Sequence, residues 1–338
     1  MTKAIACATF LLFGALALSA IPADVTYTEG DASIRLKSGK TQDAQIGDVM
    51  NTGDTLRTGA DGQAELNQKG VTVKIAPKTV FTLMEREQGG KTSSVLSVAL
   101  GSIKFRYDKL TGSEPMVRTN GAVAGVRGTE FSVFSGADGS TLIAVDSGQV
   151  TVESEGKSVD LAAKEGVEVP LGKPPGDKFT VPDKLVDYSK WNEGKLDAML
   201  ADPLAAMTGI ENTLLEYIKN VSDYNATFLE YTARLDKARQ KRAQIFKDKG
   251  IDDASMYDQK VLGPLMVQTG HLFLNVRYYS LAALSMRRFV AGRLYLFMKT
   301  RSIAHPDGLQ WTVFLSRFND MLSSFEQSIV PQLVTTDI

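Results

Sequence analysis

Cysteine is almost absent from this sequence, because its 338 residues include only Cys7. Cys7 lies within an uncharged N-terminal run, residues 4–18, and not after it, where a lipoprotein signal would place a cysteine. Removal of this run on export would leave a chain without any thiol. Disulfides, cysteine nucleophiles and thiolate metal sites are then all excluded.

An excess of charge of one sign is also lacking. The chain has 38 basic and 39 acidic side chains, and its formal net charge is -1. Proteins that bind nucleic acid over a broad surface usually carry a strong positive charge. We therefore predict that nucleic acid is not a partner.

Residues that commonly form catalytic or metal sites are scarce. The two histidines, His271 and His305, are far apart in sequence, so neither suggests a metal pair. The segments 39–41 and 90–92 end like phosphate-binding loops but lack the upstream glycine, and no hydrolase motif occurs. We predict that the protein is not an enzyme and has no cofactor or metal. An envelope hydrolase is the alternative.

The N-terminus has the features of a secretory signal. Lys3 supplies a positive charge before the uncharged run, and the small residues Ser19, Ala20 and Ala23 follow it. The run is short for a membrane-spanning helix. We predict a signal peptide at residues 1–23, cleaved after Ala20 or Ala23, a periplasmic or otherwise exported location, and no membrane span in the mature chain. Retention of the segment as an anchor is the alternative.

Apolar and polar residues alternate with a period of two from Asp24 onward, as they do in half-buried strands. The alternating positions include Ala64, Leu66, Val71, Val73, Ile75, Ile103, Phe105, Tyr107, Phe131, Val133, Val150 and Val152. Glycine-containing turns separate these stretches and leave little room for crossover helices. We predict an all-β domain at residues 24–171, with mainly antiparallel strands arranged as a short solenoid or a sandwich.

Residues 172–182 have the composition of a linker. Glycine and proline dominate residues 172–177, and Pro182 follows shortly after. Beyond this point the apolar residues recur with a helical period. We predict a domain boundary here, an all-α bundle of long helices at residues 183–338, and therefore a multidomain α+β protein.

One helix of the second half is predicted to be unusually long. Asp202 and Pro203 are favourable residues at a helix start, and Gly250 suits a helix end. Apolar residues between them recur in steps of three and four, which is typical of a coiled-coil seam. They are Leu214, Tyr217, Val221, Tyr224, Phe228, Tyr231, Leu235 and Ala238. The tyrosines among them form either a recognition stripe or, as we favour, packing contacts.

So long a helix needs a partner helix. We expect this partner at residues 265–303, after a break at Gly263 and Pro264, so that the two form a long antiparallel hairpin. Shorter helices near residues 185–200 and from Trp311 to Ile329 complete the predicted bundle. Oligomerisation through these helices is a further expectation.

The partner helix lies in a segment with basic residues and no acidic ones. Between Gln259 and Pro306 the basic residues are Lys260, Arg277, Arg287, Arg288, Arg293, Lys299 and Arg301. We favour pairing of these arginines with acidic residues of the other helices, such as Glu216, Glu230, Asp236 and Glu326. An anionic lipid or polymer partner is the alternative.

The segment Arg127, Gly128, Thr129 and Glu130 is the candidate binding motif. A surface loop could present the guanidinium to a carboxylate or a peptide carbonyl of a partner. We favour a structural role, in which Gly128 permits a tight turn, Thr129 hydrogen-bonds to neighbouring backbone and Phe131 enters the core.

Several short motifs across residues 45–170 resemble the FecR domain family of exported and periplasmic bacterial proteins. They are GD at 47–48, GDTLRTG at 53–59, AEL at 64–66, VKIAP at 73–77, LGSI at 100–103, VRT at 117–119, AGVRGTEF at 124–131 and VDSGQV at 145–150. Each is weak alone, but their order and spacing are specific. The resemblance assigns residues 24–171 as a FecR-like β domain.

The resemblance implies a non-enzymatic role. The best-known members of the family relay a signal from an outer-membrane receptor to a sigma factor, and they have a cytoplasmic segment and a transmembrane helix before the domain. Only about 23 residues precede the β pattern here. We therefore expect an interaction or scaffold protein of the bacterial envelope, with another envelope protein as partner. A cell-surface signalling component linked to a receptor or sigma-factor system is the alternative.

Overall fold

The computed structural model describes residues 21–88, 90–108, 114–182, 187–303 and 308–335. Most of the predicted signal peptide, residues 1–20, and His305 therefore lie outside the described residues. A β-rich N-terminal region is followed by a long helical C-terminal region, as the change of hydrophobic period predicts. Within the described part of the chain, no helix combines the length and the apolar character that crossing a bilayer requires.

The N-terminal region forms one hydrogen-bonded sheet of fifteen described strands. The strands are β1 (Ala23–Glu29), β2 (Ala32–Arg35), β3 (Thr41–Asp43), β4 (Val49–Met50), β5 (Thr55–Thr58), β6 (Gln63–Gln68), β7 (Val71–Ile75), β8 (Val80–Gln88), β9 (Lys91–Tyr107), β10 (Met116–Arg118), β11 (Val123–Ser135), β12 (Thr141–Ser154), β13 (Lys157–Ala162), β14 (Glu165–Val169) and β15 (Lys178–Thr180). Among the described pairings all are antiparallel except that of β9 with β10.

The sheet encloses a single apolar core. Residues from both ends of the strand order, such as Val25 in β1 and Val167 in β14, belong to the same buried cluster. The sheet therefore folds back on itself around Phe105 and Phe131, whose rings stack with centroids 5.2 Å apart. Alternating side chains supply this core, because successive residues of a strand point to opposite faces.

Two boundaries of the β region differ from the expected ones. Strand β1 begins at Ala23, inside the predicted signal segment 1–23, and Ala23 is buried opposite Met50. The predicted linker 172–182 contains β15, which pairs with β14. The glycine- and proline-rich residues 172–177 are irregular, whereas residues 178–180 lack such breakers and form a strand.

The C-terminal region is helical throughout its described length. Its elements are α1 (Tyr188–Ala201), α2 (Pro203–Lys249), α3 (Ile251–Tyr257), a first π-turn (Asp258–Leu262), α4 (Gly263–Met286), a second π-turn (Arg287–Ala291), α5 (Gly292–Ser302), α6 (Leu309–Ser328) and α7 (Val330–Thr335).

Helix α2 has the bounds that its capping residues indicate. An Asp202 side-chain oxygen accepts a hydrogen bond from the Ala205 N–H at 3.0 Å, and Gly250 follows the last helical residue with φ 90°. Its 47 residues span roughly 70 Å. Ring contacts of Tyr217 with Tyr279 and of Phe228 with Phe273 show that α2 and α4 run antiparallel.

The expected break at Gly263 and Pro264 is absent from the structure. The chain instead stays helical and passes through the first π-turn directly before Pro264. A proline ring clashes with the carbonyl of the preceding turn, and a wider π-turn relieves such a clash without ending the helix.

The helices have a core of their own, separate from that of the sheet. It contains Met207 and Leu214 of α2, Met286 of α4 and Phe314 of α6. Two small clusters connect the regions: one joins Met84 and Val95 to Tyr278, and the other joins Phe134 to Trp191. The sheet and the helices therefore each have their own apolar core, and the two regions meet at an interface.

Candidate interaction site between the sheet and the helices

The predicted motif at residues 127–130 lies within β11, at a β-bulge in its pairing with β12. The strand register shifts between Arg127 and Glu130, and Gly128 has a φ of 62°. The motif is therefore not a tight turn between elements. The bulge re-aims the strand while β11 continues, which is the usual role of such an irregularity.

The side chains of the motif have different surroundings. The Arg127 side chain lies outside the described residues. Thr129 is buried, and its hydroxyl has no hydrogen-bond partner among the described residues, so the expected bond to neighbouring backbone is not observed. Phe131 is fully buried in the sheet core, as expected.

Glu130 belongs to a small charged network on the outside of the sheet. A Glu130 carboxylate oxygen lies 2.7 Å from the Lys104 Nζ, and an Asp146 oxygen lies 3.0 Å from the same Nζ. Burial opposes the charge of Lys104, but bonds to both carboxylates outweigh it and raise the lysine pKa. These contacts join β9, β11 and β12, so Glu130 contributes to the sheet itself.

The most deeply buried charge at the interface is Arg118, at the end of β10. Its guanidinium donates a hydrogen bond to the Tyr217 hydroxyl of α2. It also lies 5.0 Å from the ring centre of Tyr217 and 5.1 Å from that of Tyr278 in α4. A cation between two aromatic faces is held by their quadrupoles, most strongly where water is excluded. Arg118 thus connects the sheet to both long helices.

The electrostatics of this site favour a charged arginine. Burial disfavours the charge of Arg118, but Tyr217 and other nearby tyrosines outweigh this effect and raise its pKa. Burial raises the pKa of Tyr217 to about 12, and Arg118 partly opposes that rise. At neutral pH the site therefore holds one guanidinium and neutral phenols.

The turn after Arg118 provides further contacts to the helices. The Thr119 hydroxyl accepts hydrogen bonds from the N–H groups of Gly121 and Ala122, which fixes the turn. The carbonyl of Asn120 accepts a hydrogen bond from the Tyr217 hydroxyl at 3.3 Å. The Tyr217 hydroxyl therefore accepts from one residue of the sheet and donates to another.

Helix α4 makes further polar contacts with the β region, among them those of Asn275 and Arg277. The Asn275 side chain accepts from the Glu87 N–H at 3.0 Å and donates to a Glu87 carboxylate oxygen at 3.2 Å. The Arg277 guanidinium donates to the Thr52 carbonyl at 3.3 Å. Burial raises the pKa of nearby Glu85, and Arg277 is among the groups that oppose this rise.

The arginines of the second π-turn and α5 do not pair with the expected acidic residues. Within the described residues, no ion pair joins Arg287, Arg288 or Arg293 to Glu216, Glu230, Asp236 or Glu326. Arg287 instead lies 5.2 Å from the ring centre of Phe325. Burial lowers the pKa of Arg293. Other groups take the place of the expected carboxylates, since Arg277 bonds to the Thr52 carbonyl and Arg301 bonds to the Leu200 carbonyl.

No cluster of metal-ligating side chains is found among the residues that the structure describes. His271 is buried in α4, and no group of three or more metal-ligating side chains occurs in the described ranges.

Tyr224 stacks on Tyr279 with centroids 5.7 Å apart, so two of the three seam tyrosines, Tyr217 and Tyr224, make packing contacts.

Sequence reasoning missed Arg118 as a site residue, although it forms part of the VRT segment of the resemblance. Its hydrogen-bond partner Tyr217 is 99 positions away in sequence. Another interface arginine, Arg277, bonds to Thr52, which is 225 positions away. One signal was available: an arginine at the end of an apolar strand segment, beside a seam of tyrosines on a long helix.

Comparison with known proteins identifies part of the β region. Residues 54–151, most of the β region, match the family model described as FecR protein. No curated protein matches the chain. Two crystal structures of a protein provisionally described as an anti-sigma factor from Parabacteroides distasonis are similar at 16% identity, with TM-scores of 0.32 and 0.31. Each match covers 38% of this chain and 59% of the other.

Proposed function

We propose that this FecR-domain protein is a component of a cell-surface signalling system, which binds another envelope protein. The observation that carries the proposal is the FecR match over residues 54–151, which takes in most of the β region. The best-known members of the family act between a receptor and a sigma factor, and this chain is proposed to act in the same class of pathway.

The contact of Arg118 with Tyr217 gives the proposal a physical basis. A signalling protein needs two binding surfaces whose states depend on each other. Arg118 lies inside the matched segment, and its guanidinium bonds to the helix that carries Tyr217. A partner that moves the end of β10 would therefore alter α2, and a partner on α2 would alter the sheet.

A non-enzymatic scaffold is the second candidate function. Large apolar side chains are exposed where α2 meets α3, at the far end of the long helix from the sheet contact. They are Phe246, Ile251 and Met256, and about half of each is exposed. Exposed apolar side chains clustered at one end of a helical hairpin favour contact with another protein.

An exported location is part of the proposal. Ala23 is buried in β1, and the Ile21 carbonyl accepts a hydrogen bond from the Gln68 side chain at 2.7 Å. Cleavage after Ala20 keeps both contacts, whereas cleavage after Ala23 removes them. The mass of the chain purified from the cell envelope should therefore correspond to a start at Ile21, and a start at Met1 in a cytoplasmic fraction would contradict the location.

The function is tested by sequencing the transcripts of a strain that lacks the gene. A signalling role predicts that a defined set of transcripts changes and that the wild-type gene restores them. Arg239→Gln, which alters an exposed arginine paired with Asp236, should restore them too. Arg118→Gln should not, at equal protein level in immunoblots. Unchanged transcripts would contradict signalling, and a crosslinked envelope partner in the same cells would then favour the scaffold.

A further inference from the structure

A positively charged cleft separates the sheet from the helices at a place distinct from the Arg118 contact. It has a volume of about 190 Å³ and lies between β2, β5 and β8 on one side and the end of α4 with the second π-turn on the other. Its cationic lining residues are Arg35, Lys37, Arg57 and Arg288, and no aspartate or glutamate is found among the described residues that line it.

Strand pairing places two of these arginines on one face of the sheet. In the β2–β5 pair, Arg35 lies opposite Thr55, and Ser33 lies opposite Arg57. The alternate residues Ile34 and Leu56 are buried in the core. Arg35 and Arg57 are therefore diagonal neighbours on the outer face, with Cβ atoms somewhat less than about 7–8 Å apart. Two guanidinium groups at this spacing can contact one small anion.

The third arginine comes from the helical side. The second π-turn brings Arg288 and Phe289 to the cleft, and the Arg57 guanidinium lies 5.5 Å from the ring centre of Phe289. A π-turn inserts one residue into a helix and changes the direction of the side chains around it, and such turns are frequent at functional sites. The sheet and the π-turn therefore direct three guanidinium groups to one space.

The described part of the chain places no carboxylate in an ion pair with these three arginines, Arg35, Arg57 and Arg288. The nearby Asp54 carboxylate accepts hydrogen bonds from the N–H groups of Lys37 and Asn51, at 2.7 and 2.8 Å. Burial, followed by repulsion from Arg35 and Arg57, lowers the pKa of Arg288. The repulsion between these like charges therefore destabilises the protein when no anion is bound.

We propose that this cleft binds a phosphate monoester group through Arg35, Arg57 and Arg288. One guanidinium can satisfy the two oxygens of a carboxylate in a bidentate pair. A phosphate monoester carries close to two negative charges and three strong acceptor oxygens, so it matches three guanidinium groups better. The site is independent of the proposed signalling role and of the Arg118 contact.

The remaining lining residues indicate what the phosphate is attached to. Leu281, Leu284 and Phe289 supply an apolar wall beside the arginines. The lining also includes the hydroxyl residues Thr55, Thr82, Ser97 and Ser285. An organic group that is partly apolar would contact this wall. A soluble phosphate ester and a lipid with a phosphomonoester headgroup share this chemistry.

The test is isothermal titration of the mature full chain with phenyl phosphate, a monoester with an apolar ring. Benzoate at the same ionic strength is the matched carboxylate probe. We expect phenyl phosphate to bind at least about tenfold more tightly than benzoate, since it gains further charge-assisted hydrogen bonds. Absence of binding up to millimolar phenyl phosphate, or equal affinity for both probes, would overturn the proposal.

Variants assign the binding to the cleft. Arg57→Gln and Arg288→Gln should each weaken phenyl phosphate binding by about tenfold or more, because each loses a charge-assisted bond. Arg288→Lys retains the charge and should bind with intermediate affinity. Arg239→Gln, far from the cleft on α2, should bind like the wild type. Circular dichroism confirms folding of each variant, and wild-type affinity in both glutamine variants would refute the site.

Vesicles distinguish the two sources of the phosphate. Phosphatidylcholine vesicles that contain phosphatidic acid present a phosphomonoester, and those with phosphatidylglycerol present a diester of similar surface charge. Sedimentation with phosphatidic acid alone, lost in Arg57→Gln, identifies a lipid headgroup. Binding of phenyl phosphate without vesicle sedimentation identifies a soluble ester. Equal sedimentation with both lipids, unaffected by Arg57→Gln, would contradict the proposal for a membrane source.

Discussion

Arg118 of the sheet and Tyr217 of helix α2 form a buried pair, in which the guanidinium both bonds to the phenol oxygen and lies 5.0 Å from the ring centre. Both side chains are almost inaccessible to water. A buried arginine without such partners would be strongly destabilising, so its presence here shows that the interface is specifically formed.

Loss of Arg118 should destabilise the folded protein. Arg118→Gln removes the contacts with Tyr217 and Tyr278, and we expect the free energy of unfolding to fall by about 3 kcal/mol in urea denaturation. Arg106→Gln is the control, because Arg106 is an exposed residue paired with Asp108. It should change stability by about 0.5 kcal/mol or less. Equal effects of the two substitutions would show that Arg118 is not a stabilising contact.

Stability should fall at alkaline pH because several tyrosines resist ionisation in the folded state. Burial raises the pKa values of Tyr188, Tyr217 and Tyr279 from 10.0 to about 12. Between these values the unfolded chain releases protons that the folded chain retains, so stability is constant below about pH 10 and decreases towards about pH 12.

This pH dependence is measured by urea denaturation from pH 8 to pH 11.5, with tyrosinate absorbance recorded in parallel. Tyr217→Phe should lower stability at pH 8 by about 1 kcal/mol, through loss of hydrogen bonds, but should show a shallower alkaline decrease. Tyrosinate that forms fully near pH 10 in the folded chain would be inconsistent with this burial.

The buried hydroxyl of Thr129 should be dispensable for stability. It has no hydrogen-bond partner in the part of the chain that the structure describes, so Thr129→Val removes an unsatisfied polar group and retains the shape of the side chain. We expect the free energy of unfolding to stay unchanged or to rise by about 1 kcal/mol. A large decrease would mean that the hydroxyl does have a partner.

Thr79→Val is the matched comparison for Thr129→Val. Thr79 is equally buried, but its hydroxyl accepts from the Ser102 N–H at 3.1 Å and donates to the Ser102 carbonyl at 3.3 Å. Loss of these bonds should cost about 2 kcal/mol. The free energy of unfolding should therefore fall in Thr79→Val but not in Thr129→Val. This difference distinguishes a hydroxyl that has hydrogen bonds from one for which the described residues provide none.

Gly148 should be intolerant of a side chain. It faces the bulge of β11 with φ 78°, and an added Cβ would lie 2.1 Å from the Gly128 carbonyl oxygen. Gly148→Ala should cost about 3 kcal/mol in thermal or urea denaturation. Gly156→Ala, at φ 66° in open space, should cost only about 1 kcal/mol. Similar costs at both positions would contradict the close approach at the bulge.

Local chemistry made the bounds of α2 predictable. Asp202 caps the helix start and Gly250 follows its end, because these positions depend on residues next to them in sequence. The alternation that places Phe105 and Phe131 in the core is equally local. The period of the apolar residues and the turn residues thus predicted the β-rich region, the helical region and the long helix.

Long-range contacts were not predictable in the same way. Nothing near Arg118 in sequence indicates that Tyr217 will face it, and the arginines of the second π-turn were expected to pair with other helices. The first π-turn, at Asp258–Leu262, also replaced an expected break, because a helix can absorb Pro264 by widening one turn. The site depends on how the two regions pack, which periodicity alone does not encode.

The central claim is that Arg118 couples the β region to the helices, and hydrogen–deuterium exchange of wild type and Arg118→Gln tests it most directly. We predict faster exchange in Arg118→Gln at three places, the turn at residues 119–122, the middle of α2 around Tyr217 and α4 around Tyr278, with protection of β11 and β12 unchanged. Identical exchange of both proteins at these three places would contradict the claim.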